Sequence, residues 1–217
     1  MVRKKYLQLF SLALFIILMA CNSQDSIKLD NNFIPETEEV HSFTQTENVV
    51  NLNGLSITNK FDLQKGVVML NSGYEMPILG IGTYALSTSQ AENSVYNALK
   101  DEYRLIDTAR IYGNEEGVGR GIKRAIAENI VKREDIFVTT KMWTSDFSNG
   151  KAAIDASLRR LGLDYIDLMI LHHSQPYNDL DAYKSMEDAV KVGKLKSIGL
   201  SNYYTAEDFD RLVMQLQ

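Results

Sequence analysis

Cysteine is nearly missing from these 217 residues: Cys21 stands alone, so no intrachain disulfide can form and no cysteine-based zinc cluster can assemble. Positive charge is short as well, with 23 lysines and arginines against 28 acids and a net charge of −5. The first twenty residues hold Arg3, Lys4 and Lys5 and no acid, which leaves 20 basic against 28 acidic residues, or −8, for the remainder. An acidic exterior of this kind excludes nucleic acid as the expected partner. The leading apolar run, Leu7 to Ala20, is interrupted by Gln8 and Ser11 and falls short of the roughly 20 residues that a membrane span needs. The GxGxxG phosphate turn is also absent. Gly80-Ile81-Gly82 lacks the third glycine, and no acid sits where a ribose would be read, which argues against an open doubly wound sheet.

The N-terminus has a basic start, a short apolar run and then Leu18-Met19-Ala20-Cys21. This is the layout of a secretory signal peptide over residues 1–21. The last four residues resemble a bacterial lipobox, which implies lipidation of Cys21 and attachment to the cell envelope through about two or three acyl chains. If the signal is not used, the chain stays in the cytoplasm. Residues 22–60 are rich in Asn, Thr, Ser and Glu without sustained periodicity, and read as a flexible tether. His41 lies there without a second metal-binding side chain nearby, so it reads as solvated and no metal site is expected.

From Phe61 onward the pattern becomes that of a folded domain, residues 61–217. Two apolar runs flank Asn71-Ser72-Gly73, a hairpin signal. Ile78 to Tyr84 reads as a strand, and Ser89-x-x-Glu92 as a capping box opening a helix with Ala91, Val95, Ala98 and Leu99 on one face. The rhythm repeats: strand 104–109 and a helix from Glu115; strand 135–141 and a helix carrying Ile154, Leu158 and Leu161. It continues with strand 165–172, a helix carrying Tyr183, Met186 and Val190, strand 197–202, and a last helix opened by Thr205-x-x-Asp208. Strand ends at Asp107, Lys141, His172 and Ser201 are 34, 31 and 29 residues apart, the spacing of βα units. Near-continuous apolar strands such as IDLMIL are expected of a parallel sheet covered on both faces.

The stretch Arg104 to Ile122, RLIDTARIYGNEEGVGRGI, concentrates the functional signal. Asp107 closes an apolar strand, Tyr112 follows on a loop, and Val118, Ile122, Ala125 and Ile126 share a helix face. Its seven fixed letters, Asp107 to Ala109 and Tyr112 to Glu115, resemble the DTA-x-x-YGNE signature of the aldo-keto reductases, and of bacterial, diketogluconate-reductase-like members in particular. The strings IFVTTKMW and YIDLMILH agree with it. The resemblance implies a (β/α)₈ barrel whose bottom is closed by the N-terminal hairpin. The five βα units counted here make a partial barrel, truncated after the fifth unit.

The resemblance also implies a catalytic tetrad of Asp107, Tyr112, Lys141 and His172 that reduces a small aldehyde or ketone with NADPH, or alternatively NADH. The chemistry is coherent on its own terms. Hydride transfer to a carbonyl leaves a developing alkoxide that must be protonated. A phenol, with an ordinary pKa of about 10, is a reluctant acid, and an ammonium beside it favours its phenolate. An aspartate can hold that ammonium, and a histidine can orient the carbonyl oxygen. By the same resemblance Ser201 and Asn202 hold the nicotinamide carboxamide, Gly82 and Thr83 contact the cofactor through their backbone, and Tyr84 and Trp143 line the substrate mouth with His172.

Three features depart from that pattern or conflict with it. Where many relatives have HWP or HQP, this chain has His172-His173-Ser174-Gln175-Pro176, which changes the pocket loop. The family's later strands, which meet the adenosine phosphate, lie past the fifth unit, so NADPH affinity is expected to be weak. A lipoprotein outside the cytoplasm would also meet no soluble NADPH. A membrane-tethered binding module that keeps the scaffold without catalysis, or an assembly completed by a second copy, are the competing readings.

Overall fold

A computed structural model describes residues 48–52 and 55–216. The signal segment, Cys21, His41 and the tether up to residue 47 lie outside the described residues. Strands β1 (Asn48–Leu52) and β2 (Leu55–Asp62) pair antiparallel with Leu52 opposite Leu55. Asn48–Leu52 and the first part of β2, read from the sequence as the end of a tether, thus pair as strands.

β2 continues into β3 (Val67–Met69) and β4 (Glu75–Pro77), giving an antiparallel sheet of order β1-β2-β3-β4. The turn between β3 and β4 is the expected one, with Gly73 at φ 84° in the left-handed region that glycine tolerates. Its Ser72 hydroxyl lies 2.6 Å from that of Ser197, which ties the hairpin to the parallel sheet.

That second sheet holds β5 (Gly80–Gly82), β6 (Leu105–Asp107), β7 (Phe137–Met142), β8 (Ile166–Leu171) and β9 (Leu195–Leu200), parallel and in sequence order. Each strand is followed by its helix: α1 (Thr88–Lys100), α2 (Glu115–Ala127), α3 (Gly150–Leu161), α4 (Asp179–Lys191) and α5 (Ala206–Leu216). These are the five expected βα units of a partial (β/α)₈ barrel, and all chain-ordered neighbours pair in parallel register.

Three local expectations are corrected. β5 is shorter than Ile78–Tyr84, because Ile78 and Leu79 face outward. The box that opens α1 is Ser87 with Gln90: the Ser87 hydroxyl accepts from the Gln90 amide, and the Gln90 side chain accepts from the Ser87 N–H. Glu92 instead accepts from Arg120 on α2 at 2.6 Å. On α4 the buried face is Asp179, Ala182, Met186 and Ala189, while Val190 turns outward. Small alanines at the helical period let α4 lie close to the sheet, and the larger apolar residues flank that face.

The core joins Ile106, Val138, Met142, Ile166, Met169 and Leu171 of the strands to Leu99, Val118, Ile122, Ile154, Leu161 and Met186 of the helices, all at 2% exposure or less. Burying each such side chain stabilises the fold by about 1.5–3 kcal/mol relative to exposure. Helix α2 sits between α1 and α3 with backbone against backbone. A Cβ on Gly117 would stand 2.0 Å from the Thr88 carbonyl oxygen, and one on Gly119 2.1 Å from that of Leu161. Gly119→Ala is accordingly expected to destabilise by about 1–3 kcal/mol, since neither backbone can yield without moving a helix. Urea unfolding measures this, and Lys123→Ala on the exposed face of the same helix should leave the midpoint in place.

Candidate active site

The C-terminal ends of β6, β7, β8 and β9 converge, as parallel strands must, and they carry the polar residues with them. Lys141 emerges from the fully buried strand β7 with only 6% of its surface exposed. Its Nζ donates to Asp107 Oδ1 at 2.5 Å, to the Thr108 carbonyl at 2.9 Å and to Tyr112 Oη at 3.2 Å. An ammonium has three N–H groups, so every donor is engaged. The hydroxyl of Tyr112 thereby accepts from Lys141 and keeps its own hydrogen for another acceptor.

The loop that presents Tyr112 is built on Asn114. Buried to 1% exposure, its amide donates to the carbonyls of Thr83 and Leu86 at 2.7 and 2.9 Å and accepts from the hydroxyl of Thr108 at 3.1 Å. The neighbouring Glu115 accepts from Thr140 of β7 at 2.7 Å and from Arg160 of α3 at 2.6 Å. The last two letters of YGNE are thus the supports of the loop, a role that residue type alone does not disclose.

His172 follows β8 and lies beside this group, its ring 5.9 Å from that of Tyr112. Burial, then the Lys141 ammonium, then His173 hold its pKa down to about 4, so the imidazole is neutral at neutral pH. Its Nδ1 is buried without a partner. A bare lone pair there costs less than an unmet N–H, which places the proton on Nε2. Asp107 is moved in the other direction: burial raises its pKa, and the contact with Lys141 restrains the rise.

These shifts have opposite consequences for stability. Unfolded His172 takes up a proton near pH 6.5, whereas in the fold it does so near 4. The neutral ring's contribution is complete above that window and is lost as pH falls through it. Asp107, with a raised pKa, gains as it protonates. His172→Gln is therefore expected to flatten the acid side of the stability profile between pH 6.5 and 4, read as urea midpoints across pH.

The structure brings Trp143 to His172 at 5.1 Å and Tyr84 to Tyr112 at 5.1 Å, both edge-on, so these two rings border the expected cluster. Ser201 and Asn202 also arrive there. Asn202 adopts φ 56°, and its amide donates to the His172 carbonyl at 2.7 Å and to the Ser201 hydroxyl at 3.1 Å while accepting from the Tyr204 hydroxyl. Gly82 pairs in register with Asp107. Thr83 is fully buried, its N–H donates to the Asp107 carbonyl at 3.0 Å and its own carbonyl accepts from Asn114. Its backbone thus ties the end of β6 to the loop that presents Tyr112. His173, which sequence reading treated as a departure in the loop, stacks on His172. Among the described residues no group of side chains could hold a metal ion.

Comparison with known proteins follows the same strands. The family model described as the aldo/keto reductase family matches residues 78–216. The NAD(P)H-dependent D-xylose reductase I,II of Candida tropicalis is 39% identical over 171 residues, covering 66% of this chain and 53% of that protein. Glyoxal reductase of Bacillus subtilis (strain 168) is 43% identical over 142 residues, 64% of this chain and 50% of its own length. Among solved structures, the Bombyx mori aldo-keto reductase in complex with NADP matches with a TM-score of 0.64 and 38% identity, over 68% of this chain and 53% of that one. The Brucella melitensis aldo/keto reductase has the same TM-score, with 40% identity over 69% and 58%. The chain spans about half the length of the curated relatives it matches. Because the family match runs from β5 to α5 and takes in all five βα units, this chain belongs to the aldo/keto reductase family.

Proposed function

We propose that this chain carries the proton-transfer machinery of an NAD(P)H-dependent carbonyl reduction. The observation that supports it is the Lys141 ammonium, which donates at once to Asp107 and to Tyr112 Oη and leaves the phenolic hydrogen free. At one end the groups suit a nicotinamide carboxamide: the Ser201 hydroxyl and the second lone pair of Asn202 Oδ1 lie next to His172, while both Asn202 N–H groups are engaged within the protein. At the phosphate end Lys141 and Arg211 are each hydrogen-bonded to a carboxylate, while Arg110 makes only a 3.7 Å approach to Asp146. When bound, a reduced nicotinamide would supply the hydride to the carbonyl carbon. Tyr112 would give its proton to the carbonyl oxygen, and the phenolate so formed would stay in hydrogen-bond contact with Lys141. The Nε2–H of neutral His172 donates to the same oxygen and orients it. Trp143 and Tyr84 wall the substrate, whose class is a small aldehyde or ketone.

The test uses the full chain: oxidation of NADPH, and separately NADH, is followed by absorbance with a short aliphatic aldehyde, and the alcohol is identified by chromatography. One alcohol per cofactor oxidised supports the reading. An absence of both turnover and cofactor binding would favour a non-catalytic binding module on the same scaffold. Attachment through lipidated Cys21 is part of the proposal on sequence grounds alone. Metabolic labelling with palmitate should be lost in Cys21→Ser.

A further inference from the structure

An imidazole that acts on a substrate is commonly oriented by a hydrogen bond to its second nitrogen. Among the described residues His172 has none: Nδ1 is buried and unpartnered. Aromatic rings surround the imidazole instead. Tyr112 meets the imidazole edge-on at 5.9 Å and 77°, and Trp143 meets it at 5.1 Å and 84°. His173 lies over its face at 5.3 Å, with 16° between the ring planes. Trp143 also stands edge-on to His173, at 5.4 Å and 89°, so one indole braces both imidazoles. Adjacent residues of a strand point to opposite faces, but β8 ends at Leu171, and beyond that end the two rings are free to stack.

We propose that His173 is the positioning residue of His172, its ring setting the imidazole plane from one face so that the protonated nitrogen is held toward the cleft shared with Tyr112. The proposal rests on the reductase reading for its meaning but not for its test. The titratable groups around His172 are Lys141 from β7, with Asp107 of β6 behind it, Tyr112 from the loop after β6, and His173 itself. Two imidazoles in face contact resist carrying charge together, so His173 also disfavours the charged form of His172, in the same direction as Lys141.

His173→Ala should lower kcat about 10–100-fold, the usual effect of removing a group that orients a catalytic side chain. The KM for NADPH should not change. His173→Phe keeps a flat ring over His172 and should recover most of that loss. The deciding measurement is long-range nitrogen–proton NMR of the imidazoles in the full chain. In the parent protein His172 should give the shifts of a single neutral tautomer. In His173→Ala these should average between tautomers and the titration midpoint should rise, whereas His173→Phe should keep one tautomer. If His173→Ala does not fold, His173→Leu takes its place, similar in bulk but without a stacking face. Unchanged His172 shifts and midpoint in the truncated variant would overturn the proposal, and so would a His173→Phe as damaged as His173→Ala. The spectra need no turnover, so a parent chain that fails to oxidise NADPH counts against the reductase reading alone.

Discussion

Tyr112→Phe is expected to reduce aldehyde turnover by about 10²–10⁴-fold, the range contributed by a positioned general acid, while leaving NADPH binding by fluorescence unchanged. The substitution removes one oxygen. That oxygen is the atom Lys141 approaches at 3.2 Å and the one whose hydrogen no group among the described residues claims. The ring remains in place between Tyr84 and His172, so the cleft keeps its shape. A variant that retained more than a tenth of parental kcat would exclude Tyr112 as the proton source and shift the role to His172 or to water.

Lys141→Met should have a double effect. It silences turnover, and it strips the part-buried Asp107 carboxylate of its partner; a fully buried pair that loses one member costs about 3–5 kcal/mol, and Asp107, its side chain 18% exposed, stands below that ceiling. The carboxyl can escape part of that cost by taking up a proton, since burial already pushes its pKa upward and only Lys141 opposes the rise. A second substitution separates the two effects. Lys141→Met with Asp107→Asn removes both charges and should regain most of the lost stability in urea unfolding, yet remain inactive. If the double variant were as unstable as the single one, the Asp107–Lys141 contact at 2.5 Å would not be the source of the loss. If it regained activity, the ammonium would have no part in proton transfer.

Much of this arrangement was legible from local patterns because a βα unit writes itself in consecutive residues. An apolar run ending in Asp107, a short loop and a helix with Val118 and Ile122 on one face allow few other folds. Contacts between units were harder to foresee. Ser87 and Ser89 both begin a serine-x-x-acid-or-amide pattern, and only the position of Glu92 opposite Arg120 on the neighbouring helix decides between them. The Thr83 carbonyl accepts from Asn114, 31 residues later, a bond that the residues around Thr83 do not announce. Asn202 was expected to face a ligand, and its amide also ties the ends of β8 and β9 together, a bond across 30 residues that no periodicity announces. The stacking of His173 on His172 belongs to the same class: it depends on where β8 stops, and an apolar run does not mark that to within one residue.

The glycines of α2 matter beyond the stability they govern. At residues 117 and 119 there is room for hydrogen and nothing larger, so main chain alone sets how far apart the three neighbouring helices stand. The first residue of α2, Glu115, grips Thr140 of the next strand, immediately before Lys141. A few tenths of an ångström added low on that helix would be carried along a rigid rod to the phenol and the ammonium. The tolerance of the chemistry is thus written about one turn from Glu115, at positions with no side chain at all, and descendants of this chain can drift on the exposed face of that helix but not there.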